Sequence, residues 1–261
     1  MGCTLFRPGA ILITLIFVLH SLVGAQSMPW LSSFQIAFNQ LKQGDLPQAL
    51  SEFDSLWKSY PRDVQLATSI GGVLDATAHH DEATVWYERA LSIQPDFPSA
   101  LEDFAMNCVV RGKLSEAAGL LRKDIHQNSN NGKAAYNLGL LLLRLQRYRE
   151  AAAALKAAEA AGNHPPLELI YVAQATAAFH LSRYPEAIAA LRKCRKPDSA
   201  AFFRLLGSAQ ALAGDLPAAI KTFQEAIAAF PNDPDFYFRL AMVFAEGRRD
   251  ADAEAVLRKA S

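Results

Sequence analysis

Alanine returns in this chain on a beat of 34 residues. Ala49, Ala83, Ala117, Ala151, Ala187, Ala219 and Ala253 follow one another at steps of 34, 34, 34, 36, 32 and 34. A period of this length means one supersecondary unit copied along the chain, each copy burying its apolar face only by stacking on its neighbours. Counting each register from Trp30 onwards, the alanine stands at the twentieth place. The eighth is equally restricted, to Ala37, Gly71, Ala105, Gly139, Ala175, Gly207 and Ala241. Four places after each alanine comes a large apolar residue: Phe53, Tyr87, Leu121, Leu155, Leu191, Phe223 and Leu257. That is one helical turn further along the same face. The pattern predicts two antiparallel helices per register, with small residues at the eighth and twentieth places because only Gly or Ala lets two helix axes approach closely. Alanine is the best helix former, and 46 of 261 residues are alanine, so the reading is helical throughout.

Punctuation between the small residues agrees. Gly44, Gly112 and Gly214 suit the left-handed conformation that ends a helix, and Pro47, Pro185 and Pro217 follow near the start of the next. The place between them is apolar or aromatic in Leu46, Leu114, Tyr148, Tyr184 and Leu216, with His80 and Asp250 as exceptions. Each register then breaks at Pro61, Pro95, Asn128 to Asn131, Asn163 to Pro166, Lys196 to Asp198, or Pro231 to Pro234, where a helix does not continue comfortably.

As a set, these residues resemble the tetratricopeptide repeat family, most completely in 64–97 (Gly71, Ala83, Tyr87, Ala90, Pro95) and 200–233 (Gly207, Ala219, Phe223, Ala226, Pro231). The family's aromatic at the fourth place is kept by Tyr171, Phe203 and Tyr237. The third copy departs most, with Asp124 where a small residue is usual and Ser129 where proline is usual. The resemblance implies an all-α, right-handed α-solenoid. Its array spans 26–261, with about seven helix-turn-helix repeats near 30–63, 64–97, 98–131, 132–167, 168–199, 200–233 and 234–261, and leaves no stretch for a catalytic domain. The family's first helices line a concave face, and stability comes from contacts between neighbouring repeats. The final segment from Asp250 to Lys259 is polar enough to cap the stack, whereas Phe34, Ile36 and Phe38 at the other end have no preceding repeat to cover them.

Ahead of the beat lies a different kind of segment. Arg7 precedes an apolar run from Ile11 to Val23 that closes on Val23-Gly24-Ala25, the layout of a secretory signal with cleavage after residue 25. The expected location is periplasmic or secreted. A second reading retains residues 8–25 as a membrane anchor and makes the protein a tethered assembly factor. Export permits disulfides, yet only Cys108 and Cys194 would remain, on non-adjacent repeats, and both read as small apolar side chains.

Charge and motif content then narrow the function. Lys plus Arg and Asp plus Glu are both 26, so no positive field gathers phosphate backbones and no nucleic-acid partner is expected. No zinc-protease, phosphate-loop, nucleophile-elbow or paired-cysteine motif occurs, so no catalytic, cofactor or metal residue is assigned. The ligand-type cluster His79-His80-Asp81-Glu82 reads as a solvated turn, since consecutive side chains do not converge on one metal. An open superhelix binds peptides instead, at little reorganisation cost. Projecting the first helices gives a groove of Phe34, Phe38, Lys133, Tyr136, Asn137, Leu140, Arg144, Phe179, Arg204, Phe238 and Arg239. In it Tyr136, Leu140 and Phe179 would anchor an apolar peptide, and Arg144, Arg204 and Arg239 would pair its acids. The two-carboxylate clamp of chaperone-binding relatives is incomplete here, with Glu102 and Met106 where Lys and Asn would be needed. The expectation is a non-enzymatic scaffold of the envelope or secreted space, with an unidentified protein or peptide partner. A membrane is involved only if the N-terminal segment is retained.

Overall fold

The computed structural model describes residues 28–195 and 199–259, so the signal segment expected at 1–25 and the break at Lys196 to Asp198 lie outside the described residues. Among the described residues there are fourteen α-helices and no strand. They are α1 (Leu31–Lys42), α2 (Leu46–Ser59), α3 (Val64–Ala76), α4 (His80–Ile93), α5 (Pro98–Val110), α6 (Leu114–Gln127), α7 (Gly132–Arg144), α8 (Tyr148–Ala160), α9 (Leu167–His180), α10 (Tyr184–Leu191), α11 (Ala200–Leu212), α12 (Leu216–Ala229), α13 (Pro234–Glu246) and α14 (Asp250–Leu257). Odd and even helices pair as hairpins, giving an all-α solenoid architecture. The chain divides after Asn128 into two units, the first built from α1–α6 and the second from α7–α14.

Every hairpin turns the corner in the same way. Gly44, Ala78, Gly112, Gln146, Ser182, Gly214 and Arg248 all have positive φ, between 56° and 85°. The residue after each donates its N–H to the carbonyl five positions back, as in Asp45 to Gln40, His79 to Leu74 and Asp215 to Gln210. This closure satisfies carbonyls that the end of the first helix would otherwise leave bare. Sequence reading finds the left-handed corner only where glycine marks it. At Ala78, Gln146, Ser182 and Arg248 the same geometry is imposed on residues that adopt it at a cost of about 1–2 kcal/mol each. The next helix then starts on the seventeenth place, at Leu46, His80, Leu114, Tyr148, Tyr184, Leu216 or Asp250. Asp45 and Asp215 cap it by accepting the backbone N–H of Gln48 and Ala218.

The small places work as expected, with one refinement of partner. All seven register alanines are buried. Where the eighth place is glycine, however, it meets the twenty-fourth. A Cβ added to Gly71 would stand 2.6 Å from the Tyr87 ring, one on Gly139 2.6 Å from Leu155, and one on Gly207 2.5 Å from the Phe223 ring. The large residue of the second helix therefore lies directly on the backbone of the first. Burying a Phe or Leu side chain this way contributes about 1.5–3 kcal/mol per hairpin.

Hairpins are joined by helix contacts within each unit. In the first, α2 touches α3, α4 touches α5, and α3 also meets α5. In the second, α8–α9, α10–α11 and α12–α13 are in contact. The loop before α7 and the loop between α8 and α9 are also tied, where Gly162 N–H donates to Asn130 Oδ1 at 2.6 Å and Lys133 N–H to the Asn163 carbonyl at 2.8 Å.

Adjacent glycines in α3 give the sharpest test of this packing. Gly71 faces the Tyr87 ring, while Gly72 has nothing within 4 Å of an added Cβ. Gly71→Ala is expected to destabilise by about 1–3 kcal/mol through overpacking. Gly72→Ala is expected to stabilise by up to about 1 kcal/mol, the helix propensity difference. Urea unfolding of the two variants checks this, and a shift of the same sign in both would contradict the assigned contact.

Candidate functional site

The first helices of the second unit form a row. α7, α9, α11 and α13 lie side by side, each touching the next. They carry Lys133, Tyr136, Asn137, Leu140 and Arg144 on α7, Phe179 on α9, Arg204 on α11, and Phe238 and Arg239 on α13. Lys133, Arg144 and Phe238 are exposed, and the other six are half-buried. Burial pushes the Tyr136 phenol above its ordinary range, so it stays a neutral, amphipathic group.

Phe34 and Phe38, expected in the groove, are instead core residues of the first hairpin. Phe34 packs edge-on against Trp30 with centroids 5.5 Å apart and lies 5.7 Å from Phe53, while Lys42 sits over the Phe38 ring. Two rings that close their own hairpin have no surface left for a ligand. The uncovered apolar face expected at this end reduces to Ile36.

Arg204 and Arg239 are also corrected. Both already pair with acids of this chain: Arg204 Nε donates to Asp235 Oδ2 at 2.8 Å and its Nη2 bonds Asp233, while Arg239 Nε donates to the same Asp235 oxygen at 2.7 Å and Nη1 to Ser208 at 3.1 Å. The network spans α11 and α13 and fixes their register. Burial raises the Asp235 carboxyl, but the hydrogen bonds from Arg239 and Arg204 outweigh it and hold the group below the usual carboxylate range.

Phe179 belongs to an aromatic cluster where two hairpin corners meet. Its ring lies 5.6 Å from Tyr184 and 5.9 Å from His180, and His180 in turn stacks on Tyr148 at 4.5 Å with the planes 8° apart. The row thus combines half-buried rings in its middle with the exposed cations Lys133 and Arg144 on α7.

A second polar constellation, in the first unit, was not foreseen. His80 is no solvated turn residue: its Nδ1 lies 2.8 Å from Asp75 Oδ1. The same carboxylate accepts from Asn107 Nδ2 at 2.7 Å and from Tyr87 OH at 3.0 Å. Asn107, wholly buried, accepts in turn from Thr84, which accepts from Arg111, and Arg111 pairs with Asp81. The only sequence sign was His80 itself, polar at a place otherwise mostly apolar. Burial, followed by the negative charges of Asp103 and Asp75, drives the Tyr87 phenol well above its ordinary range, so it donates without titrating. The arrangement locks α3, α4 and α5 together. Cys108, a free thiol in the core of the same unit, is pushed up to about 11, first by burial and then by Glu116, which leaves it far from a thiolate. Among the described residues, no three His, Cys, Asp or Glu side chains converge as metal ligands, and no helix is long and apolar enough to cross a membrane.

Asp235 gives this site a pH signature. Because its folded-state pKa is depressed, its stabilisation is present above the ordinary carboxylate value of about 3.9 and is lost as pH falls through the folded value. A carbon-13 NMR titration is expected to place its midpoint below that of an unpaired Asp and to move it upward in Arg204→Met with Arg239→Met. A midpoint unmoved by losing both guanidiniums would contradict the network.

Set beside known proteins, the chain matches the tetratricopeptide repeat family at residues 32–63, 172–234 and 213–260, and the family of anaphase-promoting complex, cyclosome, subunit 3 at 76–158. No curated protein matches its sequence. Among solved structures it resembles a tetratricopeptide repeat protein from Parabacteroides merdae ATCC 43184 (16% identity, 90% of this chain and 93% of that one, TM-score 0.60). It also resembles PilW, a widely conserved type IV pilus biogenesis factor (18% identity, 84% and 100%, TM-score 0.60), and pilF of Pseudomonas aeruginosa (15% identity, 82% and 96%, TM-score 0.60). At such identities the likeness is one of fold. Together with the left-handed corners, the buried register alanines and the contact between eighth and twenty-fourth places, these matches make the chain a member of the tetratricopeptide repeat proteins.

Proposed function

We propose that this protein is a non-enzymatic interaction scaffold that holds a peptide segment of a partner protein along the row of first helices in its second unit. One observation carries the reading. Tyr136, Leu140 and Phe179 sit half-buried on adjoining helices, so their ring edges and methyl groups are partly sequestered and partly presented. Side chains held this way lose little entropy when a ligand covers them, which is what makes preformed anchors effective. Arg144, exposed on the same α7, supplies positive charge for acids of the ligand, a role that Arg204 and Arg239 cannot fill while bonded to Asp233 and Asp235.

For location, the proposal is export through the segment at 1–25, with the repeats at 26–261 working in the periplasmic or secreted space. Its variant keeps residues 8–25 as a tether. The fold-level likeness to PilW, a pilus biogenesis factor, supports an envelope setting for either form. N-terminal sequencing of the protein from its own cells separates them: a chain beginning at Gln26 fits the soluble form, and an intact Met1 fits the tether.

Binding is tested with a displayed peptide library selected on the wild-type chain and rescreened on Tyr136→Ala with Leu140→Ala and Phe179→Ala. We expect enrichment on the wild type and a loss of about tenfold or more on the triple variant, as removal of hot-spot anchors entails, with helical circular dichroism retained. Equal enrichment on both proteins, or none on the wild type, would contradict the groove.

A further inference from the structure

On α11 and α13 the row of first helices carries charges where α7 carries anchors. Arg204 and Ser208 stand at the fifth and ninth places of α11, the equivalents of Tyr136 and Leu140 on α7, and Asp235 and Arg239 stand at the second and sixth places of α13. Arg204 and Arg239 are 38% and 36% exposed, and Asp233 and Asp235 are 26% and 35% exposed. The network is therefore half-open, on the face that a ligand of the row would meet.

Its geometry is that of a carboxylate site already filled. Two guanidiniums from neighbouring helices converge on one oxygen, Asp235 Oδ2, with Arg204 Nε at 2.8 Å and Arg239 Nε at 2.7 Å. Arg204 also donates from Nη2 to Asp233, and Arg239 from Nη1 to Ser208 Oγ at 3.1 Å, which aims both guanidinium planes. Asp233 is itself held, since its other oxygen accepts the backbone N–H of Asp235 at the start of α13. Two cations and two anions cancel, so the cluster has no net charge with which to draw a ligand's acid. An acid built into the chain also forgoes the association entropy that an incoming one loses. Burial acts against the charge on Asp235, but the hydrogen bonds from Arg239 and Arg204 prevail, so the group stays ionised wherever a ligand's carboxylates are ionised.

We propose that Asp235 is a specificity-determining residue of the row: with Asp233 it stands in the place of a ligand carboxylate and turns acidic segments away from α11 and α13. The inference rests on the peptide reading above and adds to it the class of segment taken. Of the three arginines on first helices of the second unit, only Arg144 lies outside the network. Acids of a bound segment are thus accepted at the α7 end and refused at the other, where the segment is free of acids. Selectivity of this kind comes from repelling the wrong ligand as much as from holding the right one.

The test uses the full chain and a fluorescein-labelled hexaglutamate peptide, whose anisotropy reports binding without the natural partner. Asp235→Asn keeps the size of the side chain and leaves one guanidinium unmatched; adding Asp233→Asn frees the second and keeps the helix cap, which Asn serves as well as Asp. At low salt we expect hexaglutamate to bind Asp235→Asn about fivefold or more tighter than the wild type, the scale of one exposed charge pair, and the double variant tighter again. The gain should vanish in high salt, and also when Arg204→Met and Arg239→Met are added. Nitrogen-15 signals of the Arg204 and Arg239 Nε groups should move on peptide addition in Asp235→Asn and stay fixed in the wild type, an arm that needs no variant to fold. Equal affinity of wild type and a helical Asp235→Asn, or wild-type Nε signals that move with the peptide, would overturn the proposal. The gain should survive Tyr136→Ala with Leu140→Ala and Phe179→Ala, so a failed apolar groove and a failed acid filter give different results; a gain lost with those anchors would place the acid elsewhere and count against Asp235.

Discussion

The structure depends on one contact made in the second, fourth and sixth hairpins: a large side chain on the second helix lying against a glycine on the first. Phe223 on Gly207 and Leu155 on Gly139 leave no room for even a methyl group between them. Close approach of this kind lets a Phe or Leu bury fully between two short helices. It also fixes the helix faces left over. With the eighth and twenty-fourth places turned inward, the neighbouring residues of the first helix are left to meet the next hairpin or a ligand. Packing and presentation are therefore set by the same register.

The left-handed corner is the second constraint, and it shows where tertiary structure overrides local preference. Three corners use glycine, which has no Cβ to clash, and four force Ala78, Gln146, Ser182 and Arg248 into the same conformation. Those four hairpins retain the corner because their closing hydrogen bonds and interior contacts exceed the local strain. The polar lock around Asp75 works at a different level. Asn107 and Asp75 are costly to bury alone, but each is saturated by partners from α3, α4 and α5, so the set resists sliding between hairpins in a way that apolar packing does not.

Much of this architecture was legible in the sequence because the small places are spaced by geometry rather than by chemistry. Ala49 to Ala253 announce the hairpins without any structure, and the glycine corners and breaking prolines agree with them. What the period could not show was pairing partners. The bonds of Arg204 are invisible in a projection of helix faces, because Asp233 stands in the loop before α13 and Asp235 arrives from the next hairpin; only the Arg239–Asp235 pair, four residues apart on α13, lies within one helix. Likewise Phe34 and Phe38 fall on groove places by count, yet the first hairpin needs both rings for its own core. Periodicity assigns a residue to a face, and only the neighbouring side chains decide whether that face is free.

The contact between eighth and twenty-fourth places is most directly tested by a double-mutant cycle on Gly207→Ala and Phe223→Leu, with unfolding free energy as the readout. Each change alone should destabilise, the first by crowding the ring and the second by thinning the core. Combined, they should cost less than their sum by about 0.5–3 kcal/mol, since the smaller Leu makes room for the added methyl. Strict additivity would show that the two residues do not press on each other and would remove the interaction on which the hairpins are built.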